Sequence, residues 1–233
     1  ELILSDLSIV EKLYQKAQKN TKSGQKEGMP MKELVEKILT ALKEGTSLRK
    51  LTFGKEELVL LKNFQLLTLK PVLYVANVNE SGFENNPHMD LILEYAKEDH
   101  SKVVPICAEI EAEICELSND EKKELLLEMG QSESGLDRLI KAGYDLLGLH
   151  TYFTAGEKEV KAWTITVGDS APAAAGKIHT DFEKGFIRAE TISFQDYITY
   201  KGEKGAKDAG KLRTEGKDYV VKDGDIMHFL HNT

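Results

Sequence analysis

Cysteine is scarce: Cys107 and Cys115 are the only two in 233 residues, they form no C-x-x-C pair, and a secreted disulfide scaffold is excluded. A reducing cytoplasm is the compartment this points to. No apolar run approaches the roughly 18 residues that cross a bilayer, and no basic stretch leads into an apolar one as in a signal peptide, so no membrane partner is expected. Positive charge is in deficit as well. Against 39 Asp and Glu stand 31 Lys and Arg, a net charge of −8, which argues against a surface that is one large nucleic-acid footprint. A phosphate-cradling loop is also missing. The nearest run to G-x-x-x-x-G-K-[S/T] is Ala171 to Ile178, where the first Gly is Ala171 and the hydroxyl position is Ile178; it reads as a helix instead. The chain opens on Glu1, not Met, inside a helical pattern, and is expected to be a fragment of a longer protein.

What is present falls into three parts of different charge. Residues 1–65 carry +3, residues 66–148 carry −10 and residues 149–233 carry −1. In the first part Leu7, Val10, Tyr14 and Ala17 set one apolar stripe on a helix. After a polar break over 20–30, Leu34, Val35, Ile38, Ala41 and Leu42 set a second, and the pair reads as a helical hairpin, an antiparallel coiled-coil-like arm. Lys12, Lys16, Lys19, Lys22 and Lys26 lie on its first helix and tip. Such a row is either a solvated face or a phosphate-contacting one.

In the middle part, QLLTLKPVLYVANV (65–78) reads as a strand buried on both faces of a parallel sheet, DLILEYAKEDH (90–100) as a helix, and KVVPICAEI (102–110) as a second strand running into a helix. Two more helices follow, at about 119–129, capped by Ser118 or Asn119, and 134–147, where Ser134-x-x-Asp137 resembles a capping box. From about 150 the pattern becomes short strands (YFT, VKAWTITV, FIRAETIS, YVV, DIMHFLH) with helical stretches near 172–180 and 205–211, a small α+β domain.

Chemistry concentrates where the two middle strands end, the edge at which parallel α/β sheets bind ligands. Asn77-Val78-Asn79-Glu80 has the form of the Asn-Lys-x-Asp tetrad with which P-loop GTPases read guanine, Val78 replacing Lys and Glu80 replacing Asp. Guanine offers two adjacent donors to a carboxylate fork, whereas adenine offers a lone pair at N1 and a donor only at N6. Glu80 is one methylene too long for that fork, and Val78 lacks the Lys stem that covers the base. A buried group left unpaired costs about 1–3 kcal/mol, enough to erase a guanine preference and admit adenine. Cys107-Ala108-Glu109 leaves the next strand where such proteins place a small loop whose backbone packs on the base. By itself Asn-x-x-Glu is equally an ordinary polar strand exit.

Other features weigh less. His228 and His231 are three apart, a metal-pair spacing on a helix but not on the strand expected there. Trp163, Tyr152, Phe153 and Phe186 could stack on bases, but alternate along strands as core residues do. His179, Asp181 and Lys184 fall in a turn of no derivable role.

Several longer stretches carry a specific resemblance. FTAGEKEVKAWTITVGDSAPAAAGKIHTDFEKGFIRAE (153–190) and GKDYVVKDGDIMHF (216–229) resemble a TGS domain, and ELILSDLSIVEK, LTLKPVLYVANVNE and ESGLDRLIKAGYDLLGL resemble the arm, base strand and closing helix of the YchF family, the Obg-like ATPases of the translation-factor-related GTPase class. The resemblance covers essentially the whole chain. It implies α/β and α+β multidomain architecture: a helical arm (1–65) inserted in a partial P-loop GTPase-like α/β core (66–148), then a small β-grasp TGS domain (149–233). It implies ATP, or GTP, with Mg²⁺ as ligands of the complete protein, ATP preferred, and partners in the ribosome or RNA reached through the arm and the TGS domain. The base-binding residues are then Asn77, Val78, Glu80, Cys107, Ala108 and Glu109, with Lys16, Lys19, Lys22 and Lys26 as possible RNA or ribosome contacts. The family's P-loop and catalytic residue would precede Glu1, so this chain alone is expected not to hydrolyse nucleotide.

Overall fold

In the computed structural model of the protein, residues 1–22, 29–98, 100–156 and 158–232 are described, and they form two compact units, Glu1–Gly143 and Tyr144–Thr233.

The first unit begins with α1 (Leu2–Lys22) and α2 (Met29–Lys43), packed on each other. Their apolar stripes meet: Val10, Leu34, Val35, Ile38 and Leu42 form a core with Leu48, Leu61 and Leu66, and Leu7 and Tyr14 pack against it. Of the expected break over 20–30, residues 20–22 and 29–30 are helical and 23–28 lie outside the described residues. A third helix, α3 (Lys55–Lys62), was not evident in the pattern. It has only two turns, too few for a period to show, and the Glu57 carboxylate caps its start by accepting from the Gly54 amide at 2.6 Å.

The expected βαβ unit is present as β1 (Leu73–Asn77), α4 (Pro87–Glu98) and β2 (Lys102–Ile106), with β1 and β2 parallel and in register from Leu73 opposite Lys102 to Asn77 opposite Ile106. Two details differ from expectation. Residues 67–69 form a 3₁₀ turn, not strand, and β1 is half-buried, with Val75 43% exposed. Among the described residues this sheet has two strands, narrower than the parallel sheets whose central strands are buried on both faces. Helices α5 (Ala108–Glu116), α6 (Asn119–Glu128) and α7 (Gly135–Leu147) follow at the expected places. Ser118 caps α6 reciprocally with Glu121. The Ser134 hydroxyl accepts from the Asp137 amide at 3.1 Å and donates to its carboxylate at 2.7 Å. Gly148, at φ +61°, ends α7 in the left-handed conformation that glycine adopts without strain.

The second unit is a five-stranded sheet built from β3 (Leu149–Ala155), β4 (Val160–Thr166), β5 (Phe186–Ser193), β6 (Arg213–Glu215) and β7 (Asp225–His231), ordered β4-β3-β7-β5-β6. β3 and β7 are parallel and the other pairs antiparallel. Helix α8 (Ala171–Ile178) packs on it, with Ala171, Ala174 and Ala175 fully buried beside Tyr152, Ile165, Phe186 and Phe229. The near-match to a phosphate loop is thus helix, its small residues serving close packing. Short α9 (Thr180–Lys184), α10 (Phe194–Thr199) and α11 (Glu203–Asp208) complete the unit. The expected strand at YVV is a single bridge, Ser170 to Val220, and β6 takes the edge position instead.

Candidate functional site

The parallel ladder of β1 and β2 does not stop at the strand ends. Val78 N–H donates to the Ile106 carbonyl at 2.8 Å, and the Asn77 side-chain oxygen accepts from the Ala108 amide at 3.1 Å. These two bonds hold the loop after β1 against the loop after β2. Past Val78 the chain turns through a 3₁₀ segment, Glu80–Phe83, beginning with Glu80, which is exposed. The turn is tight because residue 82 is glycine: a Cβ there would stand 2.7 Å from Asn79 Oδ1 and 3.0 Å from Val78 Cβ. Asn86 then closes it, donating to the Gly82 carbonyl at 3.0 Å and accepting from the His88 amide at the start of α4.

On the other loop, Cys107 is the N-cap of α5 and is buried in a small core with Ile110, Ile114 and Leu126. Its side chain faces protein, so only its backbone can contribute to a site. Ala108 and Glu109 are exposed in the first turn of α5. Four of the six expected residues, Asn77, Val78, Cys107 and Ala108, are therefore joined in one edge, with Glu80 at the start of the 3₁₀ segment and Glu109 in the first turn of α5.

A hollow of about 640 Å³ lies beside this edge, lined by Glu80, Phe83, Glu84, Pro105, Gln131 and Arg138, among others. Its basic group is Arg138, which donates to Gln131 Oε1 at 2.9 Å and to the Pro105 carbonyl at 3.2 Å. Sequence reading had missed this residue. It directly follows the Ser134-x-x-Asp137 cap, but no pattern shows that its side chain reaches a strand. A second hollow of about 620 Å³, between Leu58, Leu61, Leu66 and Leu69, is lined by none of the strand-end residues.

Lys16 and Lys19 are exposed on α1, a separate element; the Lys22 side chain and all of Lys26 lie outside the described residues. In the second unit, His228 is exposed on β7, and His231 stacks on Phe182 with ring centres 3.8 Å apart. Trp163 donates to Thr154 at 3.0 Å, with the Lys161 ammonium over its ring at 4.2 Å. Tyr152 and Phe186 are core, and His179 Nδ1 accepts from the Asp181 amide as the cap of α9.

Comparison with known proteins bears on both units. Residues 149–232 match the family model YchF-GTPase_C, described as a protein of unknown function, DUF933. The chain is 56% identical over 232 residues to a protein of Escherichia coli O157:H7 named ribosome-binding ATPase YchF, and 48% identical over 235 residues to the Bacillus subtilis protein of that name. All of this chain is covered, against 64% of each relative, so the chain spans just under two thirds of the curated relatives it matches. The solved structure of the Schizosaccharomyces pombe YchF GTPase superposes with a TM-score of 0.86 at 34% identity, over 99% of this chain and 63% of that one.

Proposed function

We propose, for a chain that belongs to the YchF family, that the ends of β1 and β2 form the base-reading side of a nucleotide site, selective for adenine. The observation that carries this reading is the bond from the Ala108 amide to the Asn77 side-chain oxygen at 3.1 Å. It joins the two loops, and it has a chemical consequence. Guanine O6 is an acceptor that needs a donor at this point, and the Ala108 N–H is already engaged. Adenine carries a donor, N6–H₂, on the same edge. With its oxygen so occupied, Asn77 still presents its NH₂ group as donor to N7, which both purines share.

Charge supports a base over phosphates at this edge. Glu80 and Glu84 after β1 and Glu109 in the first turn of α5 put negative charge at this edge, which suits a neutral ring and repels a polyanion. The phosphate grip and Mg²⁺, which neutralises phosphate charge when bound, are assigned to no residue of this chain. Hydrolysis belongs to the longer protein of which this chain would be the C-terminal portion. In that reading residues 1–65 are the arm, 66–148 part of the GTPase-like core and 149–233 a TGS domain of the β-grasp type, in a cytoplasmic protein.

The test is exchange of the tetrad in the full-length protein. Glu80→Asp with Val78→Lys is expected to move the ATP to GTP affinity ratio toward GTP by about tenfold, the equivalent of one buried polar pair. An unchanged ratio would mean that the tetrad does not set base preference.

A second reading is favoured by Lys16 and Lys19, exposed along α1 in the one part of the chain with positive net charge. Here the chain is a docking module, the arm and small unit contacting the ribosome or another RNA partner, as the relatives' name suggests. Co-sedimentation with ribosomes should weaken on Lys16→Glu with Lys19→Glu, and the difference from the unmutated protein should shrink as salt is raised. Binding that survives deletion of 150–233 would count against the small unit as a contact.

A further inference from the structure

The base-reading edge is held from behind, and the holding group comes from the start of α7. Three contacts converge there. Arg138 sends one guanidinium nitrogen to Gln131 Oε1 at 2.9 Å and to the Glu133 carbonyl at 3.4 Å, and the other to the Pro105 carbonyl at 3.2 Å. Glu111, from α5, accepts from the Gly135 amide at 2.6 Å and the Leu136 amide at 3.1 Å, closing the N-terminus of α7. At Gly135 itself a Cβ would stand 2.7 Å from Glu111 Oε1 and 3.1 Å from Ile106 Cγ2, so the helix approaches β2 more closely than any other residue allows.

Pro105 and Ile106 are the last residues of β2, directly before Cys107 and Ala108. Pro105 has no N–H, so its carbonyl is the one main-chain hydrogen-bonding group by which it can be held. Ile106 presents its carbonyl to Val78, at 2.8 Å. A guanidinium suits the task because its rigid fork sends separate nitrogens to the Pro105 carbonyl and to the loop between α6 and α7, whereas an ammonium's three donors all radiate from one point.

We propose that Arg138 is a positioning residue for base recognition: through Pro105 it fixes the exit of β2, and so sets where the Ala108 amide and Asn77 meet the base. It touches no nucleotide itself. The inference rests on the base-site reading above, and two measurements separate the two.

The first uses this chain without nucleotide. Arg138→Met keeps the aliphatic stem and removes every donor; amide exchange at Ile106, Cys107 and Ala108 should quicken by about tenfold, as expected when one net hydrogen bond is lost, while the strands of the second unit keep their rates. Unchanged exchange at 106–108 would overturn the positioning role even if the base reading stands.

The second uses the full-length protein and compares ATP with inorganic triphosphate, which has the phosphates and no base. Arg138→Met should weaken ATP by about tenfold and leave triphosphate unaffected, and Arg138→Lys should fall between. Equal loss for both ligands would make Arg138 a general support of the fold and overturn the inference. If the unmutated protein binds ATP no more tightly than triphosphate, the base reading falls first and this one with it.

Discussion

Asp6 shows how one side chain can tie distant parts of the chain. It lies in the first turns of α1, fully buried, and its carboxylate accepts from the Leu67 amide at 2.8 Å, the Thr68 amide at 2.7 Å and the Thr68 hydroxyl at 2.7 Å. Those residues form the 3₁₀ turn that leads into β1, so the base of the helical pair is fastened to the segment that delivers Asn77. Asp6→Ala strands the buried Thr68 amide and hydroxyl and the half-buried Leu67 amide, a buried group costing about 1–3 kcal/mol when unsatisfied, and a loss of at least about 2 kcal/mol is expected in urea denaturation of the first unit. Asp6→Asn should cost less, because one oxygen remains to accept. Nothing at position 6 announces this in the sequence. Asp6 there is a polar residue on a helix whose apolar stripe passes through Leu7 and Val10, and its partners are about sixty residues away. The Asn77 to Glu80 stretch stands out for the opposite reason: its residues are contiguous, although Asn-x-x-Glu by itself is equally a polar strand exit.

Elements were legible where they are long or carry caps. The stripes of α1 and α2, the apolar runs of β1 and β2, and the Ser-x-x-acid boxes that start α6 and α7 all act within a few residues of sequence. Helices α9 and α10, of five and six residues, have no periodicity to display, whereas α11 falls within the helical stretch expected near 205–211; the assignment of an edge strand to β6 over YVV is decided by the sheet. The caps themselves respond to pH. The Ser118 hydroxyl and amide hold the Glu121 carboxyl below its ordinary 4.5, and the Ser134 hydroxyl, with Lys122 nearby, holds Asp137 below 3.8. At the start of α3, the Gly54 amide and then Lys37 hold Glu57 below 4.5. A carboxyl whose folded pKa is depressed stabilises fully above its unfolded value and loses that contribution as pH falls through the folded one. The first unit should therefore weaken below about pH 4.5. Ser134→Ala should flatten that acid limb in circular dichroism, while costing about 1 kcal/mol at neutral pH.

At the scale of the whole chain the two units are finished to different degrees. The second closes its core on itself. The Tyr152 hydroxyl donates to the Ala174 carbonyl at 2.8 Å, and the Tyr219 hydroxyl donates to the buried Asp225 carboxylate at 2.7 Å. Burial raises both phenols above their ordinary 10, with Asp225 adding to the rise at Tyr219. A group with a raised folded pKa stabilises fully below its unfolded value, so this unit should hold to about pH 10 and weaken above it. Tyr152→Phe should remove part of that alkaline loss, at about 1 kcal/mol near neutrality.

The first unit is the less finished one. Among the described residues its sheet has two strands, and Val75, Leu91 and Ile140 are 43%, 64% and 51% exposed. A two-stranded sheet is marginal by itself. The curated relatives are longer than this chain, which covers 64% of their length. We expect the remaining third to supply strands that pair with this sheet. Amide protection at 73–77 and 102–106 should then rise by at least about tenfold, about 1.4 kcal/mol of local stability, in the full-length protein. Protection in the second unit should not change. Equal protection at β1 and β2 in the short and long proteins would mean that the sheet is already complete and that the base edge needs no further strand to hold its shape.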